Sequence, residues 1–153
     1  MAGLVIVAHA PLATALQAVA RHVFAERSEA LLIVDVWPDW SAETAEQEIR
    51  AAVTQAAAGV AGGEVLILAD VFGATPCNAA QRVADGVGVR LVVGLNVPML
   101  WRALAYAQQP IDTLVERALV GGTQGVMPAS PQKPQDQPLH SQPNDSTHRH
   151  HQQ

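Results

Sequence analysis

The chain has 153 residues, 49% of them apolar, and a net charge of −5 with histidine neutral. That length suits one domain with a real core, and no apolar run approaches the ~20 residues of a membrane-spanning helix. Up to residue 127 seven arginines and no lysine face twelve carboxylates, and Cys77 is the single cysteine; this argues against nucleic acid and anionic membranes as partners, and against a disulfide or a cysteine-rich metal site.

The first element is the continuous apolar run LVIVA (4–8), the mark of a strand buried on both faces. The surrounding MAGLVIVAHA has neither the basic start nor the small-residue cleavage site of a signal peptide, so the cytosol is the expected compartment. His9 follows the run, and Pro11 suits the first turn of a helix. Leu12, Leu16, Val19 and Val23 recur at steps of four, three and four, one face of that helix, which leaves His22 on the solvated side. ALLIVDV (30–36) predicts a second strand, ended by the turn WPDW, where Trp37 is expected to pack. Ser41 is a good N-cap, and Glu43 and Glu46 favour the positive end of the helix it opens. Ala42, Ala45, Ile49 and Val53 supply its buried stripe. Gly62-Gly63 breaks it before the third strand, EVLILAD (64–70).

VFGATPCNAAQRVA turns at Gly73 and opens a helix, with Thr75 as N-cap and Pro76 at the first helical position. Inside it, Cys77 reads as a small buried apolar residue. VRLVVGL (89–95) is the fourth strand. NVPMLWRALAYA repeats the device, with Asn96 or Val97 capping and Pro98 starting the helix. IDTLVERALVGG (111–122) predicts a final helix ended by two glycines, and TQGVMPA is where a short edge strand could follow. Beyond it the composition turns to Pro, Gln, Ser and His, which cannot bury enough apolar surface to offset the entropy of ordering. The expected division is therefore a domain over 1–127 and a disordered tail over 128–153. His140, His148, His150 and His151 in that tail are composition without metal-site geometry.

Strands alternating with helices over connections of this length predict right-handed βαβ units. They give an α/β fold with helices on both faces of a doubly wound, mainly parallel sheet, in the common order 2-1-3-4. Such sheets bind ligands beyond the carboxyl ends of their strands, and His9, Asp70 and Asn96 all fall on that edge. An aspartate in reach of one imidazole nitrogen fixes the tautomer and leaves the other nitrogen nucleophilic. Helix starts near Pro11 and Thr75 aim free N–H groups into the crevice, an anion site, and Thr75 adds a hydroxyl. This set suits a histidine that receives and holds a phosphoryl group. A purely structural reading also stands on the residues alone. His9 is then a satisfied strand-end residue, Asp70 a turn former, and Thr75, Pro76, Asn96 and Pro98 caps. Other chemistries fit less well. A dinucleotide site lacks its glycines after the first strand, a P-loop lacks its lysine, and a phospho-aspartate receiver needs acidic residues where His9 stands. Phe72, between Asp70 and Gly73, borders the crevice, where partner contact is the expected role.

Three stretches in order carry a family resemblance: VIVAHA with His9, LADVFGATPCNAA with Asp70 and Thr75-Pro76, and GLNVPML at 94–100. Over about residues 3–127 the chain resembles the IIA component of the mannose family of the bacterial phosphoenolpyruvate-dependent sugar phosphotransferase system. The resemblance implies that His9 accepts a phosphoryl group on Nε2 from the carrier protein HPr and passes it to a IIB component for sugar uptake. Asp70 would orient His9 through Nδ1–H. Thr75 and the backbone N–H groups at Gly73 and Ala74 would bind phosphate oxygens, with Phe72, Asn96 and Pro98 docking the partner. No metal or organic cofactor is implied. A cytoplasmic homodimer is, often exchanging a C-terminal strand, for which TQGVMPA is in the right place; membrane association is at most indirect, through permease components. Two departures stand out. Val71 occupies a position where the family often has Thr, removing one hydroxyl. Many relatives continue through an Ala/Pro-rich linker into a IIB domain, whereas here the polar tail follows, so a stand-alone IIA with a separate acceptor is expected. The alternatives are a regulatory phosphoprotein, or a binding module of the same fold that has lost transfer. A branch serving dihydroxyacetone kinase fits less well, because DVFGATP stands where that branch carries a Met- and Gly-Ser-containing loop.

Overall fold

The apolar runs become four parallel strands, β1 (Gly3–His9), β2 (Leu32–Val36), β3 (Val65–Ala69) and β4 (Val89–Val93), in the order β2-β1-β3-β4. The computed structural model describes residues 1–131; most of the expected tail, with its four histidines, lies outside the described residues. Apart from His9 at the end of β1, the two central strands are apolar because helices cover both faces. Leu4, Ile6 and Ala8 of β1 and Leu66 and Leu68 of β3 pack against α1 (Leu12–Val23), α5 (Val97–Tyr106) and α6 (Ile111–Gln124). Val5, Val7, Val65 and Ile67 point the other way, against α3 (Ala42–Ala58) and α4 (Thr75–Val83). The alternation of a pleated strand thus splits one apolar run between two cores.

Several local expectations shift. The face α1 buries is Ala13, Leu16 and Ala20, while Leu12 and Val23 are exposed. Its alanines let the helix lie close to the sheet, which rotates the two larger end residues outward. A short helix without a sequence signature, α2 (Ala25–Glu29), follows α1. Its Arg27 donates to the carbonyls of Leu104 and Ala105 at the end of α5, at 2.8 and 3.0 Å, satisfying acceptors that a helix end leaves open. Ala42 is exposed, whereas Ala45, Ile49 and Val53 are buried as expected. Gly59 caps α3, and Gly62 and Gly63, with φ of +90° and +66°, shape the turn into β3. Trp37 is 51% exposed rather than packed; Trp40 is the tryptophan that joins the core.

The largest revision concerns Gly121 and Gly122, which do not end α6 but lie inside it. A Cβ on Gly121 would sit 2.8 Å from Arg102 Cβ and 3.0 Å from the Pro98 carbonyl oxygen. The glycines are there so that α6 can press against α5. Thr123 and Gln124 are consequently helical, and residues 126–131 form no strand, so the expected edge strand is absent from the described residues of the single chain.

Candidate functional site

His9 is the last residue of β1, and Asp70 is the first beyond β3, the neighbouring strand. The His9 side chain is 54% exposed and that of Asp70 only 9%. His9 is therefore not a core residue. Asp70 Oδ2 accepts the His9 backbone N–H at 2.9 Å and lies 2.7 Å from His9 Nδ1, while Oδ1 accepts the Val71 N–H at 2.7 Å. Burial pushes the Asp70 carboxyl up, but hydrogen bonds from the backbone and ring of His9 and from Val71 outweigh it. The net effect holds Asp70 below the usual carboxylate range. An ionised Asp70 assigns the ring proton to Nδ1. In a neutral ring that leaves the lone pair on Nε2, which has no partner among the described residues.

Four helices begin at this edge, and their first turns are treated differently. The Ser41 hydroxyl accepts from Thr44 N–H at 3.0 Å and caps α3. Asn96 Oδ1 accepts from Met99 N–H at 2.9 Å and caps α5. The first turn of α1 is capped from outside its own sequence. Asp35 on β2 accepts the N–H groups of Ala13 and Thr14 through Oδ1, at 2.9 and 3.3 Å, and the Thr14 hydroxyl through Oδ2. The expected anion site near Pro11 is thus already filled by a carboxylate.

The start of α4 alone has no side-chain cap. Its N-cap is Ala74, not Thr75; Thr75 and Pro76 occupy the first two helical positions, and Thr75 is exposed. Pro76 sits one position later than expected without cost, because the N–H groups of the first turn have no helical partner in any case. Gly73, at φ +83°, makes the bend that brings the chain there. Among the described residues no acceptor takes the N–H groups of Gly73, Ala74 or Thr75. These are the positions expected to hold phosphate oxygens. Strand pleating adds a second relation. Ala8 and Asp35 are partners facing α1, while His9 and Val36 are partners facing the α3 and α4 side. His9 shares its layer with the open helix start.

The remaining candidates separate. Phe72 is 74% exposed beside an exposed Val71. The amide of Asn96 bonds within the chain at both ends, its Nδ2 donating to the Gly122 carbonyl at 3.0 Å, and Pro98 lies against Gly125. Cys77 is buried behind the start of α4 and His22 is exposed. Among the described residues no three His, Cys, Asp or Glu side chains gather as a metal site. Asp35 is the functional-edge residue that sequence reasoning missed. A lone carboxylate in LIVDV was the available sign, since a charge in a packed strand needs a partner.

Residues 3–119 match the model of the family described as EIIA-man, PTS system fructose IIA component. Comparison with curated protein sequences gives no match. Among solved structures, the fold is similar to the mannose/sorbose specific IIA subunit of the phosphotransferase system from Enterococcus faecalis, with TM-score 0.76, 23% identity, and coverage of 86% of this chain and 97% of that one. It is also similar to phosphotransferase system component EIIA from Streptococcus agalactiae, with TM-score 0.72, 20% identity, and coverage of 84% and 97%. A third match is the PTS IIA protein associated with the fucose utilization operon of Streptococcus pneumoniae, with TM-score 0.65, 19% identity, and coverage of 82% and 91%.

Proposed function

This chain belongs to the EIIA-man family of phosphotransferase-system components, and from that premise we propose that it is a phosphoryl carrier whose reacting atom is His9 Nε2. The observation that carries the reading is an exposed imidazole, 2.7 Å from a buried carboxylate, beside the single uncapped helix start among the four at this edge. The phosphoryl donor is the phosphohistidine of HPr. The Nε2 lone pair forms a new P–N bond as the donor's P–N bond breaks, and no general base is needed because Nε2 carries no proton. The ring becomes cationic, and the adjacent Asp70 carboxylate stabilises it. The N–H groups of Gly73, Ala74 and Thr75 and the Thr75 hydroxyl hold the phosphoryl oxygens as charge shifts between leaving and entering nitrogens. Transfer to a IIB component reverses these steps and returns a neutral His9.

The partners dock on the surface around Phe72 and Val71, with Asn96 and Pro98 supporting its flank from within the chain. A homodimer is part of the same reading. Trp101, Leu119, Val120, Val126 and Met127 are exposed on and after α5 and α6, and a second copy exchanging its C-terminal segment covers such a face. No helix among the described residues is long and apolar enough to cross a membrane. The carrier works in the cytoplasm, near the membrane only through its permease partners.

The test is incubation with phosphoenolpyruvate, enzyme I and the cognate HPr, read by intact mass. One phosphoryl group is expected, lost in acid and absent from His9→Ala. A protein that binds phospho-HPr but gains no mass would replace the carrier with a binding module.

A further inference from the structure

Asp35 is the only carboxylate within a strand among the described residues, and its three hydrogen bonds all go to the first turn of α1. Only Ala10 and Pro11 separate that turn from His9. The N–H of Ala10 donates to the Val36 carbonyl at 3.0 Å, so consecutive residues of β2 grip the chain on both sides of Pro11. Asp70 grips it from β3, through the His9 backbone N–H. His9 thus leaves the sheet between two carboxylates, Asp35 within β2 and Asp70 just past the end of β3. One of them holds the histidine itself and the other holds the helix that follows it.

We propose that Asp35 is a positioning residue for His9: by anchoring the first turn of α1 it fixes the bend at Ala10–Pro11 and so keeps the imidazole aligned with Asp70. The proposal rests on His9 being the phosphoryl acceptor. It has a second consequence for that site. With α1 sealed by Asp35, the incoming phosphoryl group meets one free helix start, that of α4, rather than two competing ones. An exposed ring has few packing contacts to hold it, so its direction depends on its own backbone and on Asp70. Small losses of alignment at a reacting atom have large effects on rate.

The test compares wild type, Asp35→Ala and Asp35→Asn at a temperature where each is fully folded. Nitrogen-15 NMR reads the His9 ring tautomer, and the rate of phosphoryl uptake from phospho-HPr reads function. In wild type the expected result is a protonated Nδ1 and a bare Nε2. Asp35→Ala is expected to average the two ring nitrogens and to slow uptake about tenfold. Asp35→Asn keeps an acceptor oxygen for the two N–H groups and is expected to restore both. If Asp35→Ala lowers only the melting temperature, leaving the ring signals and the rate unchanged, Asp35 is merely a helix cap and the proposal is overturned. Should Asp35→Ala fail to fold, Thr14→Val removes a single arm of the anchor. A smaller change in the same direction supports the proposal, and unchanged ring signals overturn it. A wild type that takes no phosphoryl group would instead break the carrier reading, while the tautomer comparison still decides the role of Asp35.

Discussion

The helices after β1 and β3 start at the same edge of the sheet, from neighbouring strands, yet one start is closed and the other open. In α1 the N–H groups of Ala13 and Thr14 are bound by Asp35. In α4 the corresponding groups around Ala74 have no side-chain cap. Both starts carry the same partial positive charge. What separates them is one carboxylate delivered from the adjacent strand, 22 residues away along the chain. Availability for an anion is therefore a tertiary property, not one of the helix.

The largest expected effect comes from removing the charge that serves His9. Asp70→Asn leaves no anion to fix Nδ1–H or to balance a cationic ring, and phosphoryl uptake should fall on the order of 100-fold or more. The same substitution has a pH signature. The folded carboxyl of Asp70 is depressed, so its contribution to stability is present above the unfolded value near ~3.9 and is lost as pH falls through the lower folded value. Thermal melts across the acid range should show a flatter decline for Asp70→Asn than for wild type. Superimposable declines would mean that the Asp70 bonds do not favour the ionised form.

Closing the open start should come next. Ala74→Asp places a carboxylate cap on α4, as Asp35 does on α1. Stability should rise by about 0.5–1 kcal/mol, while uptake falls by roughly tenfold or more as the carboxylate competes with phosphoryl oxygens. A stabilised variant with an unimpaired rate would exclude α4 from the phosphoryl site. Gly73→Ala tests the bend itself. Its Cβ would meet nothing within 4 Å, but φ is +83°, so denaturant melts should show a loss of about 1 kcal/mol from backbone strain alone. The smallest effect is that of Thr75→Val. Losing one hydroxyl donor should slow uptake by about fivefold, the equivalent of one ordinary hydrogen bond, with the melting temperature little changed because Thr75 caps nothing. An unaltered rate would leave the cradle to backbone groups only.

Features encoded by local pattern were legible. The four strands and the placing of His9 and Asp70 at one edge follow from apolar runs and their spacing. The strand order is the common one for such a sheet, and Ser41 and Asn96 cap where their sequence positions say they should. Features set by long-range approach were not. Gly121 and Gly122 look like a helix stop, and only the closeness of α5 shows why they lie within α6. Leu12 and Val23 fit a helical stripe, but small residues at Ala13 and Ala20 turned a different face to the sheet. Asp35 lay unnoticed in an apolar run because its partners belong to another element. The pairing of His9 with Asp70 was thus readable, and the closing of one helix start but not the other was not.

The most direct measurement is an NMR assignment of the phosphorylated ring in protein charged by phosphoenolpyruvate, enzyme I and HPr. Phosphorus coupling to His9 Nε2, with Nδ1 still protonated against Asp70, is the expected result. A phosphoryl group on Nδ1, or on any residue other than His9, would contradict it.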